Sequence, residues 1–230
     1  MIRRRPRSIP KTARRRDRVT RAPIAVRAAT AVALAALFSG CSSIPTTHYY
    51  VLGDEGRGVA PAASVGEGID VAVRAFRIDP PYDQNRLVYR IGEDSSEVAF
   101  YAYHRWAAPL AHMLPRAVSF GLATTPGVHS IEPLVPGRRY DGFVEGRLLA
   151  LEEIDLPGSQ VIRMRLELSL SVQDGATVWR KSMDVRRSTR TDDAGELASE
   201  MNALLRQALD EARGELALAV ARIERPGEDG

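Results

Sequence analysis

Residues 161–185 read VIRMRLELSLSVQDGATVWRKSMDV. Ile162, Met164, Leu166, Leu168, Leu170 and Val172 alternate with Arg163, Arg165, Glu167, Ser169 and Ser171. A period of two is that of a strand with one packed face and one wet or lightly covered face. Asp174-Gly175 is a hairpin signal, because the glycine accepts the positive φ of a tight turn. Thr177 to Val185 is then the return strand. Upstream, Leu156-Pro157-Gly158-Ser159 turns the chain, and Tyr140 to Ile154 is rich in strand formers. A three-strand meander is expected across 140–185.

The flanks add helices. Leu197, Met201, Leu204, Leu205, Ala208, Leu209, Ala212, Leu216 and Val220 form an apolar stripe at helical spacing. Asp193 suits its N-cap, with Glu196 as reciprocal partner, and Pro226-Gly227 suits its end. A shorter helix is expected over Ala107 to Ala123, with Pro109 in its first turn and Pro115 kinking or interrupting it. Short strands are expected at 48–52, 69–76, 86–90, 98–103 and 128–131. Gly92 to Ser96 forms a turn between the third and fourth of these. This pattern is α/β, with a mixed sheet and the long C-terminal helix packed on it.

The chain has 32 basic and 29 acidic residues among 230. Residues 1–27 contain eleven of the basic residues and one acid, Asp17, and residues 28–41 contain neither. The remainder therefore holds 21 basic and 28 acidic side chains, a net of −7. The basic isoelectric point belongs to the leader. An acidic body argues against nucleic acid as partner, since a nucleic-acid face needs a basic stripe.

That leader has three parts: a basic region to Arg27, an uncharged apolar stretch from Ala28 to Phe38, and Ser39-Gly40 before Cys41, the one cysteine. The apolar stretch suits a signal peptide and is too short for a spanning helix. Phe38-Ser39-Gly40-Cys41 resembles a bacterial lipobox, with Phe in place of the usual Leu. Small residues before the cysteine admit the peptidase, and the Cys41 thiol accepts the lipid. The alternatives are a buried structural cysteine and an arginine-rich nucleic-acid arm. Ser42 after the cysteine permits export to the outer membrane under the rule by which Asp retains a lipoprotein at the inner one. The expected organisation is a signal peptide at 1–40, a lipidated N-terminus with a short strand and flexible linker at 41–68, the main domain at 69–225 and a frayed tail at 226–230.

Catalytic patterns are missing. His48, His104, His112 and His129 have no zinc-like spacing, and there is no nucleophile elbow or phosphate-binding glycine loop. The residues therefore point to no enzyme, cofactor or metal. Glu152-Glu153 reads as a strand end and Asp192-Asp193 as a cap. Aromatics concentrate between Phe76 and Trp106. They suit either a core or an interface, where Tyr, Trp and Arg are enriched.

Taken in order, the lipobox, Tyr49-Tyr50-Val51-Leu52, Arg86-Leu87-Val88-Tyr89-Arg90 and the Tyr101-x-Tyr103-x-x-Trp106-Ala107-x-Pro109-Leu110 run resemble the ABC-type transport auxiliary lipoprotein family. This is the paraquat-inducible-protein-C-like group of MCE-associated membrane-integrity lipoproteins. The resemblance spans His48 to about Arg222. It implies a three-layer arrangement like that of anticodon-binding domains, and a non-enzymatic, periplasm-facing lipoprotein at the outer membrane, with inner-membrane anchoring as the alternative. The implied partners are an MCE-domain protein with an ABC permease and ATPase, and the implied cargo is phospholipid or another lipid. Cys41 carries over as the lipid anchor. Tyr101, Tyr103, Trp106, Pro109 and Leu110 match the motif and, with Tyr82 of the Pro80-Pro81-Tyr82 loop, are candidate partner contacts. A regulator or assembly factor for a cell-envelope enzyme or barrel is the other reading.

Overall fold

A computed structural model describes residues 45–53, 68–191 and 193–223. The leader, Cys41, residues 54–67 of the expected linker and the 226–230 tail lie outside the described residues. The meander is the trunk of the fold. Strands β7 (Gly142–Leu156), β8 (Ser159–Val172) and β9 (Thr177–Thr189) pair antiparallel in sequence order. Gly158 and Gly175 take positive φ in the two connections, which is why glycine stands there. Ile162, Met164, Leu166, Leu168 and Leu170 are fully buried, while Arg163 and Arg165 on the opposite face pair with Asp184 of β9.

One edge of β7 carries three parallel strands in succession. β2 (Ile69–Val73) pairs with Gly142–Val144, β3 (Arg77–Ile78) with Arg147 and Leu148, and β4 (Arg86–Ile91) with Glu152–Asp155. From β2 the sheet continues to β6 (Val128–Pro133). From β4 it continues to β5 (Ala99–Trp106) and then to β1 (His48–Tyr50), which runs parallel to β5. Among the described residues nine strands thus form one mixed sheet forked along β7.

The alternation of β7 reverses part-way. The register with β8 shifts between Leu148 and Ala150, so Leu149 is the extra residue of a bulge. Leu148 and Leu151 consequently both face the core.

Helix α1 (Leu110–Leu122) runs on through Pro115 without interruption, with the proline ring buried. Helix α2 (Ala194–Val220) begins at Asp193, whose side chain accepts from the Gly195 and Glu196 amides. The reciprocal partner is not the expected Glu196: the Asp193 amide donates to Thr191 Oγ1 at 3.1 Å. The helix stops at Val220, well before Pro226. Every stripe residue named from the sequence is buried.

The two helices touch. A Cβ on Gly121 would overlap Leu209, and Arg213 Nη2 donates to the Gly121 carbonyl at 2.8 Å. That bond satisfies an open carbonyl of the last turn of α1. Both helices therefore lie on one face of the sheet. The described residues make the expected α/β arrangement, a mixed sheet with the long C-terminal helix packed on it. The other face is polar, crossed by Arg74–Glu145, Arg147–Asp79, Arg163–Asp184 and Arg186–Glu93 pairs.

Candidate functional site

The Tyr101 to Leu110 motif occupies the junction from β5 into α1. Between Phe100 and Arg105, β5 gains residues relative to β4, whose Arg86 and Val88 are the register partners. The resulting bulge puts Tyr101 and His104 on one side, with rings 5.7 Å apart. β1 completes the cluster. His48 stacks on His104 at 5.2 Å, and Tyr50 Oη lies 2.9 Å from His104 Nδ1. Tyr89 meets Tyr101 edge-on at 5.2 Å. A cleft of about 390 Å³ opens beside it, lined by Tyr89, Phe100, Tyr101, Ala102, Glu153, Asp155 and Gln160.

Burial sorts the candidates. Trp106 is 2% exposed and Leu110 3%, both inside the core. The Trp106 amide donates to the Asn85 carbonyl and that of Ala107 to the Tyr50 carbonyl, so this turn ties three strands together. Pro109 stands exposed at the N-cap of α1, with extended backbone. Tyr101 is half-buried, and its hydroxyl donates to Glu153 Oε2 at 2.5 Å. Tyr103 is 42% exposed. Tyr82, in the loop after the cis Pro80-Pro81 bond, is 4% exposed and donates to Glu152 Oε2 at 2.7 Å. Tyr82 and Tyr101 are thus held apart, one on each side of β7. Cys41 lies outside the described residues.

Glu152 and Glu153 are the residues that sequence reasoning missed. They lie mid-strand rather than at a strand end, buried on opposite faces, each receiving a tyrosine hydroxyl. Arg90 Nε and Nη2 also reach Glu152 Oε2, at 3.3 and 3.1 Å. Two adjacent acids inside a run of apolar strand formers were the available signal, since burial of an acid requires partners.

The electrostatics follow from this packing. Burial, then the hydrogen bond to a carboxylate, raises Tyr82 and Tyr101 well above the usual phenol range. Burial and then the neighbouring His48 lower His104, with Asp193 partly opposing. Asp193 is lowered by the amides it caps. Among the described residues no group of three or more His, Cys, Asp or Glu could hold a metal ion. None of the described helices is long and apolar enough to cross a membrane.

The sequence profile of the ABC-type transport auxiliary lipoprotein component matches residues 50–212. The chain belongs to that family. No curated protein sequence matches it. Among solved structures, a Xanthomonas campestris protein of the DUF330 family is similar with a TM-score of 0.60 at 17% identity, over 76% of this chain and 96% of that one. An uncharacterized protein is similar with a TM-score of 0.56 at 16% identity, over 75% of this chain and 99% of that one. Both share the fold. As an auxiliary lipoprotein the protein is a membrane-anchored component associated with a transport system, and such a role points away from catalysis.

Proposed function

We propose that this auxiliary lipoprotein is the lipid-anchored, periplasm-facing subunit of an MCE/ABC-type transporter that moves phospholipid or another lipid between inner and outer membranes. The observation that carries the reading is the family match over 50–212. Cys41 bears the anchor and holds the domain at the outer membrane, and the domain captures an MCE-domain protein served by a permease and ATPase. Of the motif residues, Trp106 and Leu110, with Tyr82, act by fixing the β5–α1 junction and the loop before β4. Tyr101 at the cleft and Pro109 at the head of α1 are the positions offered to the protein partner.

The test is a pull-down of the tagged lipoprotein from gently solubilised membranes, with mass spectrometry of what co-purifies. Recovery of an MCE protein with a permease and ATPase is expected. Recovery of a cell-wall synthase or an outer-membrane barrel in their place would overturn the transport reading in favour of a regulatory or assembly role.

A further inference from the structure

The outer face of the β1–β5–β4 arm has an unusual row of side chains. Tyr49 pairs in register with Arg105, and Arg105 with Arg86. Register partners on adjacent strands project to the same side, so Tyr49, Arg105 and Arg86 form one line across three strands. Tyr103, two residues before Arg105, flanks it on the side opposite His104 and Trp106. Tyr49 is 64% exposed, Val51 46% and Tyr103 42%.

The two arginines are the informative pair. Like charges directly opposite on neighbouring strands destabilise a sheet. Four other arginines of this polar face, Arg74, Arg147, Arg163 and Arg186, each meet a carboxylate, while among the described residues Arg77 and Arg180 stand exposed without one and have no second free arginine beside them. Among the described residues, Arg86 and Arg105 have neither an ion pair nor a side-chain hydrogen bond, and Arg105 Nε is enclosed without a partner. Two adjacent unneutralised guanidinium groups match an anion with several acceptor oxygens.

The position of the row relative to the anchor selects the occupant. Six residues, 42–47, separate Cys41 from β1. Fully extended, that tether reaches at most about 25 Å. A compact body of this length is about 40 Å across. A chain anchored at Cys41 therefore keeps β1 close to the bilayer. β1 is itself fastened into the body, because Asn202 of α2 accepts from the Gly53 amide at 2.6 Å and donates to the Val51 carbonyl at 3.0 Å. Tyrosines beside arginines are the side chains that settle at a lipid–water interface, rings among the headgroups and cations on phosphates.

We infer that this row is a membrane-seating face, with Tyr49, Val51 and Tyr103 entering the interface and Arg86 and Arg105 taking lipid phosphate. The body is net acidic, which disfavours broad contact with an anionic surface, so seating through this row also sets the orientation of the domain. The cleft and α1 are presented away from this face, to the periplasm. The inference rests on lipidation at Cys41.

The experiment uses the acylated protein reconstituted in vesicles of phosphatidylglycerol and phosphatidylethanolamine. Because Cys41 is consumed by acylation, Tyr49→Cys, Tyr103→Cys or Leu218→Cys supplies one thiol for a fluorescent label. Leu218 lies on α2 and is 64% exposed. Labels at 49 and 103 should be shielded from aqueous iodide and quenched by nitroxide lipid, and the label at 218 should behave the opposite way. Arg86→Gln and Arg105→Gln should each weaken seating about fivefold. Val51→Cys replaces Tyr49→Cys if the latter melts early. Equal iodide quenching at 49, 103 and 218 on protein that floats with the vesicles overturns the inference alone. Failure to float overturns the anchor and the inference together. Shielding that appears only when transporter proteins are added assigns the face to a protein and also overturns it.

Discussion

Tyr82 illustrates what a single hydroxyl does here. It donates to a carboxylate that is 2% exposed, and Arg90 Nε and Nη2 donate to the same oxygen. Tyr82→Phe keeps the ring and removes the donor, leaving Glu152 under-satisfied. The expected cost is about 1–3 kcal/mol in urea unfolding, with the m-value unchanged. Gly146 is a steric counterpart: a Cβ there would overlap the Phe76 ring, which sits in the core against β7. Gly146→Ala should destabilise by about 1–3 kcal/mol as Phe76 is displaced, and a thermal melt that does not move would refute the packing. Neither glycine 146 nor the pair Glu152–Tyr82 could be assigned a role from sequence, because each role depends on residues about 70 positions away.

At the scale of elements, α2 offers a clean pair of tests on one helix. Gly214 lies mid-helix, and a Cβ there meets nothing within 4 Å. Gly214→Ala should therefore stabilise the fold by up to about 1 kcal/mol, through helix propensity and a less free unfolded chain. Asp193→Ala removes the acceptor for two amides at the other end and should cost about 1 kcal/mol. Calorimetry on the two variants should show Tm moving in opposite directions. Periodicity made both helices and the meander readable in advance. It was silent on the bulge in β7, because one inserted residue changes the facing of everything after it without altering composition. It also could not distinguish Trp106 as core from Trp106 as contact, since an aromatic side chain serves both.

For the whole molecule, the titrating groups give a pH profile with a definite sign. His104 packs against His48, Tyr50 and Tyr101, with Asp193 near by, and its folded pKa is below the ordinary value of 6.5. The unfolded chain therefore takes up this proton first. Stability is full above about pH 6.5 and declines as pH falls through the lower folded value. Asp79 and Asp184 are lowered by their bonds to Arg147 and Arg163. Their contribution is present above the unfolded carboxylate value and is lost further down. From the alkaline side, Tyr82 and Tyr101 are raised, so stability declines once pH passes about 10, where the unfolded phenols ionise first. Urea midpoints measured from pH 8 to pH 3 should fall in two stages, and His104→Gln should remove the upper stage while leaving the lower.

The sequence alone determined the meander, both helices, the acidic body beneath a basic leader, and the family, because each is written in short-range periodicity, charge order or a motif run. Only the tertiary structure decided that both helices share one face and that β7 carries three strands along one edge. It also placed two adjacent glutamates on opposite sides and aligned Tyr49, Arg105 and Arg86 across three strands. These are consequences of register and of contacts between residues distant in the chain. No local pattern encodes them, because the free energy that selects them comes from burying one face of a sheet whose strand order the local pattern leaves open.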